Sequence, residues 1–208
     1  MRNKLRKLCI ISGLALIFAA CILCVFNITE SNIAARRSQA SLSKLKNTIE
    51  LASEATVSGN TGNDALIEYD HVSQGIPVVT IDDINFCGYL TIEELDMELP
   101  VIDDFSYESL KYAPCRYSGS ANGNDLIIAA HNFSSHFGKL NRLSDGTEIV
   151  YTDCSGKEYH YSLISIEEIS GSNAEEMLSQ DSSPWDLTLF TCTLNGKSRV
   201  TVRAKRTN

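Results

Sequence analysis

The hydrophobic pattern divides the chain into an apolar N-terminus, a helical segment and a β-rich body. Residues 8–28 form a charge-free run, long enough for a helix of about 30 Å that matches a bilayer core. Residues 31–55 follow with apolar positions at helical spacing and without glycine or proline. We interpret them as a stalk helix, or as a helix packed against the body. Residues 56–75 are rich in Ser, Gly, Asn, Thr and Asp, which is typical of a linker.

From about Ile76 the pattern changes to short β-like runs separated by turn residues. Asn195-Gly196 predicts the turn of the last hairpin, and Ser155-Gly156 predicts the turn of an earlier one. Short helical segments are predicted near residues 106–112, 136–143 and 173–178, the last with Asn173 as its N-cap. The predicted strands cover residues 86–92, 98–102, 125–131, 147–152, 157–166, 185–192 and 198–206.

Seven or eight short strands with few helices predict a mainly β domain, most simply a closed or nearly closed β-barrel. About 130 residues are enough to bury one core. The predicted organisation is a cytoplasmic tail and transmembrane anchor over residues 1–29, a helical stalk and linker over 30–75, and the β-barrel over 76–208.

The charges at the N-terminus predict the orientation in the membrane. Arg2, Lys4, Arg6 and Lys7 precede the apolar run, so this flank is expected to stay in the cytoplasm and the body outside. Arg36 and Arg37 lie on the predicted outer side and weaken this assignment slightly. A cleaved signal peptide has a shorter apolar core, and a lipoprotein site ending at Cys21 remains a further alternative. Each of these alternatives places the body outside the cytoplasm.

Composition limits the possible functions. A net charge of −8 argues against a nucleic-acid-binding protein, which would show a basic face. The four cysteines of the body have no spacing typical of a zinc site, so no metal ligands are assigned. Cys87, Cys115 and Cys154 are predicted to be small buried core residues, with a disulfide as the alternative.

Strand alternation separates Cys192 from the core. Leu187 and Leu189 share one face of their strand, and Cys192 lies on the other face. In the next strand Arg199 likewise alternates with an aliphatic face made by Val200, Val202 and Ala204. We therefore expect Cys192 and Arg199 to point away from the core, where the arginine could favour a thiolate or stabilise an oxyanion.

A nucleophilic cysteine needs a histidine, and the chain offers four. His131 is favoured because it ends an apolar strand where a Ser/Asn-rich loop begins, a common position for a catalytic group. His136 is the nearest rival and is expected to begin a short helix. His71 lies in the linker, and His160 lies between two tyrosines of a strand. By spacing alone, a Cys/His pair on two strand ends is more often structural than catalytic.

These residues resemble those of a known family. Residues 188–192, TLFTC, are similar to the TLxTC signature of sortases, the membrane-anchored cysteine transpeptidases of Gram-positive bacteria. Residues 129–132, AAHN, followed by FGKL at 137–140, resemble the histidine strand of that family and its short helix. Arg199 resembles the catalytic arginine, and the similarity covers roughly residues 88–206.

The resemblance implies the eight-stranded sortase barrel and its chemistry. Cys192 would attack a backbone carbonyl in an LPxTG-like sorting signal, and an amine acceptor would resolve the thioacyl intermediate. His131 would act as general acid and then as base, and Arg199 would hold the substrate or the oxyanion. Thr191 is a further candidate for substrate binding. The implied partners are surface proteins that carry sorting signals, together with the amine acceptor.

Two departures from the family leave the substrate open. The turn between the last two strands is tight, and no Asp-Pro-aromatic lid motif occurs, which favours a cell-wall precursor over a pilin lysine as acceptor. No cofactor is implied. No calcium site is assigned, because the acidic pairs Glu93-Glu94 and Asp103-Asp104 are expected to be solvated surface. Calcium activation is left open. A cysteine hydrolase and a non-catalytic cell-surface binding module are the alternative functions.

Overall fold

The computed structural model describes residues 2–58, 76–178 and 183–208. The chain divides into two compact units, Met1–Ile33 and Ala34–Asn208. One long helix occurs in these residues; it is α1 and covers Arg2–Ser58. The predicted linker and His71 lie outside the described residues, and the predicted domain limits stay predictions.

The first unit consists of the apolar part of α1. Within the helix, the most apolar window of 18 residues has a mean hydropathy of 2.5, and none of it is buried. Large apolar side chains such as Leu14, Phe18 and Leu23 are more than half exposed. By length and composition this helix can cross a membrane.

Within the described residues, nine strands form one sheet. They are β1 Val79–Ile81, β2 Ile84–Ile92, β3 Met97–Ile102, β4 Cys115–Ser118, β5 Leu126–Ala130, β6 Glu148–Asp153, β7 Glu158–Ser170, β8 Leu187–Cys192 and β9 Ser198–Arg206. The strand order is β1-β2-β3-β4-β5-β8-β9-β7-β6, and β6 also pairs with β2. This last pairing closes a ring of eight strands, which confirms the predicted eight-stranded barrel, and β1 pairs only with the first residues of β2.

The strand predictions hold except for the shortest strands. Every predicted strand overlaps an observed one, and β7 runs four residues further than expected, to Ser170. Strands β1 and β4 were missed, because three or four residues are too few to show an alternating pattern. Short 3-10 helices occur at Ser109–Lys111, Phe137–Arg142 and Ala174–Met177. Asn173 occupies the N-cap position of the last, but its amide donates to the Glu176 carboxylate and caps no backbone N–H.

The barrel has two apolar layers. Leu187, Leu189, Val202 and Ala204 belong to the inner cluster, so the aliphatic face predicted for β8 and β9 is confirmed. The opposite face of these strands is also mostly buried, and Phe190 is only 7% exposed. A second cluster covers this outer side of the barrel wall; it includes Phe86, Ile127, Ala129, Phe190, Leu45 and Ile49.

Part of α1 is integral to the barrel unit. Leu42, Leu45 and Ile49 are buried at helical spacing, so one stripe of the helix lies on the barrel. Lys46 pairs with Glu98 at 2.5 Å and Lys44 with Asp82 at 2.6 Å at the edges of this contact. Of the two interpretations of residues 31–55, the structure therefore favours the helix packed against the body.

Candidate active site

Three neighbouring strands bring His131, Cys192 and Arg199 into one row. Strands β5 and β8 are parallel and pair Ala130 with Thr191, so His131 and Cys192, one residue further on, lie side by side. Strands β8 and β9 are antiparallel and pair Cys192 directly with Arg199. Adjacent strands are about 4.8 Å apart. The structure thus brings together, at one end of the barrel, three residues that lie up to 68 positions apart in the sequence.

Cys192 is the exposed thiol of the barrel unit. Burial raises the pKa of Cys87 and of Cys115 to about 12 and raises that of Cys154 further, so these three thiols stay protonated at neutral pH. They are free cysteines, as expected for core residues, and each donates to a backbone carbonyl. Among the described barrel residues, only Cys192 is a cysteine accessible to a substrate.

A tightly wound loop holds His131. The backbone carbonyl of His131 accepts the N–H of Phe137 at 3.2 Å, and the N–H groups of His136 and Gly138 both donate to the Phe133 carbonyl. A Cβ atom on Gly138 would lie 2.4 Å from the Asn132 carbonyl oxygen, so no larger residue fits there. The half-buried His131 ring lies 5.0 Å from the Phe133 ring, centroid to centroid.

The rival histidines have other environments. His136 is fully buried at the start of its short helix, where burial, aided by nearby His131, lowers its pKa to about 4. Neither of its ring nitrogens has a hydrogen-bond partner among the described residues. His160 lies on the β6–β7 hairpin with Nδ1 at 2.9 Å from Glu148, and that contact raises its pKa. Of the three described histidines, His131 alone adjoins Cys192.

The Arg199 guanidinium lies on the hairpin that joins β8 and β9. Its Nη1 donates to the Ser198 carbonyl at 3.1 Å and to the Gly196 carbonyl at 3.3 Å. Both bonds use one nitrogen of a group that has five N–H donors, which leaves Nε and Nη2 to meet a substrate carbonyl. Gly196 has a φ of +69°, the left-handed conformation that the predicted Asn-Gly turn requires.

A groove of about 450 Å³ opens beside Cys192 at this end of the barrel. Its lining includes Phe137, Asn132, Asn141, Thr193 and Leu194. Thr191 also lines it: this hydroxyl is buried and has no hydrogen-bond partner among the described residues. A buried hydroxyl without a partner is uncommon in proteins, so Thr191 is available to bind a polar group that enters the groove.

The other side of β8 carries an aromatic cluster. The Phe190 ring makes an edge contact with Tyr117 at 5.3 Å, and Tyr117 makes one with Phe105 at 5.0 Å. Tyr107 extends the cluster and is 76% exposed. Phe190 precedes Cys192 by two residues and therefore shares its face of the strand. Cys192 thus lies between the aromatic cluster and the polar groove.

The described residues contain no cluster of three metal-ligating side chains. The expectation that the acidic pairs are solvated surface is wrong for Asp103. Asp103 is not solvated surface but a mostly buried partner of Arg116, with an Oδ1–Nε distance of 2.8 Å. The hydroxyls of Thr147 and Ser144 donate to Glu94 and lower its pKa. The carboxylates of Asp103 and Glu94 are therefore both bonded to other side chains of the protein.

Sequence reasoning missed Glu168, Asn141 and Phe133. Glu168 and Asn141 line the groove, and Phe133 contacts the rings of both His131 and His136. Glu168 lies in a strand segment that the sequence did not predict, and Asn141 lies ten residues beyond His131. No spacing rule connects them to Cys192, because the barrel's closure brings them there.

A family model described as the Sortase domain matches residues 90–207, more than half of the chain. The chain belongs to the sortase family. This assignment agrees with the resemblance of residues 129–140 and 188–199, and it makes the protein a transpeptidase by family. No curated protein sequence matches this sortase.

Solved sortases share the fold. A Clostridium perfringens sortase D5 transpeptidase superposes with a TM-score of 0.60 and 18% identity over 83% of this chain and 99% of that one. Streptococcus pneumoniae sortase C-3 superposes with a TM-score of 0.54 and 21% identity, over 87% of this chain and 90% of that one. Clostridium perfringens sortase C with a C-terminal cell wall sorting motif superposes with a TM-score of 0.54 and 19% identity, over 81% of this chain and 90% of that one. At these identities the comparison establishes the fold alone.

Proposed function

We propose that this sortase cleaves an LPxTG-like sorting signal through a thioacyl intermediate on Cys192 and transfers the acyl group to an amine. The observation that carries the proposal is the row of His131, Cys192 and Arg199 at the adjoining ends of β5, β8 and β9. These three residue types supply the nucleophile, the proton carrier and the oxyanion donor that acyl transfer requires.

The first half-reaction forms the intermediate. The Cys192 thiolate adds to the scissile carbonyl carbon, and Arg199 donates hydrogen bonds to the resulting oxyanion. The protonated His131 gives its proton to the leaving amine as the C–N bond breaks. Tyr107 and Tyr117, the exposed members of the aromatic cluster on the Cys192 face of β8, offer an apolar surface for the leucine and proline of such a signal.

The second half-reaction reverses these roles. An incoming amine adds to the thioacyl carbon, His131 takes its proton, and the Cys192 thiolate leaves. This restores the thiolate and the imidazolium of the starting state. We further propose that α1 anchors the protein in the cell membrane with its basic end, Arg6 and Lys7 included, in the cytoplasm and the barrel outside.

The test uses the full-length protein in detergent. It is incubated with LPxTG-like peptides with and without an amine acceptor, and intact-mass and peptide mass spectrometry locate the acyl group. We expect an adduct on Cys192 and a peptide–amine product, with both lost in Cys192→Ala.

Three outcomes would point elsewhere. An adduct that persists in Cys192→Ala would transfer the chemistry to another thiol. Release of free acid alone, even with abundant amine, would make the protein a hydrolase. Absence of any adduct, with Cys192 resistant to alkylation in the folded protein, would favour a binding module.

A further inference from the structure

We propose that the groove beside Cys192 receives the acceptor amine as an ammonium ion and that Glu168 is the residue that selects for its positive charge. This rests on the proposed function, because it concerns the second half-reaction of the same site. Glu168 is the one charged side chain among the described residues that line the groove.

The two substrates reach Cys192 from different sides. Thr191 and Cys192 are consecutive in β8 and therefore face opposite sides of the barrel wall. The aromatic cluster lies on the Cys192 face of β8, whereas the groove beside Cys192 is also lined by Thr191, Val200 and Glu168, which share the other face of the wall. An acceptor in the groove can approach the thioacyl carbon while the aromatic surface stays occupied by the sorting signal.

Strand pairing fixes the position of Glu168. Glu168 of β7 pairs with Val200 of β9, and Val200 pairs with Thr191 of β8, so the three residues form one row on the groove side. Two strand spacings separate Glu168 from Thr191, about 10 Å. Because the Glu168 side chain extends over part of this distance, an ammonium group held at its carboxylate moves by about one side-chain length to reach the thioacyl carbon on Cys192.

The Glu168 carboxylate is exposed and open to a cationic ligand. The Ser198 hydroxyl donates to it and holds it beside the hairpin turn. In the described part of the chain no lysine, arginine or histidine forms an ion pair with it. The side-chain carbonyls of Asn132 and Asn141 offer further acceptors for the three N–H groups of an ammonium ion.

The acceptor nitrogen loses two protons during aminolysis. The bound ammonium releases one proton to solvent and becomes a nucleophilic amine. The amine nitrogen then bonds to the thioacyl carbon, its second proton moves to His131, and the carbon–sulfur bond breaks. Glu168 takes no proton in these steps, so it is a specificity residue and its effect should be confined to charged acceptors.

The test compares acceptors of different charge on the full-length protein in detergent. The thioacyl enzyme is formed with an LPxTG-like peptide, and the second-order rate constant for its aminolysis is measured. The probes are Nα-acetyl-lysine amide and triglycine amide, which are cationic, and hydroxylamine, which is uncharged at neutral pH. The two cationic probes distinguish a side-chain amine from a terminal one.

We expect Glu168→Gln to lower aminolysis by the cationic probes about fivefold, the effect of losing one charge at about 4 Å in water. Thioacyl formation and hydroxylaminolysis should stay unchanged. The difference should shrink as the NaCl concentration is raised about tenfold, from about 0.05 to about 0.5 M, because salt screens exposed charges.

The matched control is Glu167→Gln. Glu167 is the adjacent residue, also exposed, but it pairs with Thr201 and lies on the opposite face, where it accepts the Ser165 hydroxyl. This variant should leave all rates unchanged. An unchanged cationic rate in Glu168→Gln, or an equal loss with hydroxylamine, would overturn the proposal while leaving the thioacyl mechanism intact. A wild-type protein that forms no thioacyl adduct would refute the proposed function itself, and this inference with it.

Discussion

At the residue scale, the burial of each histidine and cysteine decides its role. Exposed Cys192 and half-buried His131 stand side by side, whereas His136 and the three core thiols are sealed from water. Burial penalises the charged form of a group, so a buried cysteine resists becoming a thiolate and a buried histidine resists protonation. The proposed chemistry therefore requires the accessible members of each residue type.

Substituting the two neighbouring histidines in the same way tests this assignment. We expect His131→Phe to abolish peptide transfer, because phenylalanine carries no proton, while His136→Phe keeps most of it. Each variant is assayed for product by mass spectrometry and for folding by thermal unfolding. Full activity in His131→Phe, or loss of activity in a stable His136→Phe, would reverse the assignment.

His136 also predicts a dependence of stability on pH. Its pKa is about 4 in the folded protein and about 6.5 when unfolded, so between these values the unfolded chain binds a proton that the folded one does not. The titration of this histidine leaves the free energy of unfolding unchanged above pH 6.5. As the pH is lowered from 6.5 to 4, His136 lowers the free energy of unfolding by about 3 kcal/mol. His160, whose pKa is raised, acts in the opposite direction.

The measurement is the free energy of unfolding in urea at several pH values across this window, for wild type and His136→Phe. The wild type should lose stability on acidification more steeply than the variant, since both keep the same carboxylates. Parallel pH profiles would show that His136 titrates normally in the folded state.

At the element scale, strand pairing builds the site and α1 supports it from outside. Strands β5, β8 and β9 place the three catalytic candidates in register, and the outer cluster packs behind β5 and β8 through Ile127, Ala129 and Phe190. Leu45 and Ile49 of α1 belong to this cluster. The helix thus stabilises the barrel wall without contributing a catalytic group.

A pair of leucines in α1 tests that contribution. Leu45 is fully buried, so Leu45→Ala should lower the free energy of unfolding by about 2–5 kcal/mol, the usual range for a buried leucine. Leu51, six residues further along the helix, is 62% exposed, and Leu51→Ala should change the free energy of unfolding little. Chemical unfolding of the barrel unit measures both, and equal effects would mean that the helix does not pack as described.

At the scale of the whole molecule, the compact unit that contains the barrel begins at Ala34 and not at the start of the strands. We expect a fragment of residues 34–208 to fold and transfer peptide without detergent. A fragment of residues 76–208 lacks Leu42, Leu45 and Ile49 and leaves the outer cluster partly uncovered. It should have a lower Tm and bind a hydrophobic dye such as ANS.

The comparison of the two fragments by thermal unfolding, dye binding and peptide transfer decides the point. Equal Tm values would show that residues 34–58 are a spacer, as the alternative stalk interpretation of the sequence predicted. A difference would define the functional unit as the barrel together with the second half of α1.

The sequence by itself determined the long apolar N-terminal helix, the strands long enough to show alternation, the Asn195-Gly196 turn and the faces of β8 and β9. These features depend on residues close together in the chain, so local periodicity and turn chemistry reveal them. Motif resemblance then singled out His131, Cys192 and Arg199.

Only the tertiary structure decided which groups meet. The β5–β8 pairing places His131 beside Cys192, and closure of the barrel brings Glu168 and Asn141 to the same groove. It also decided that the face opposite the inner core is buried, because α1 and the loops cover it. Contacts between distant residues depend on how the strands pair and close, and no local pattern in the sequence carries that information.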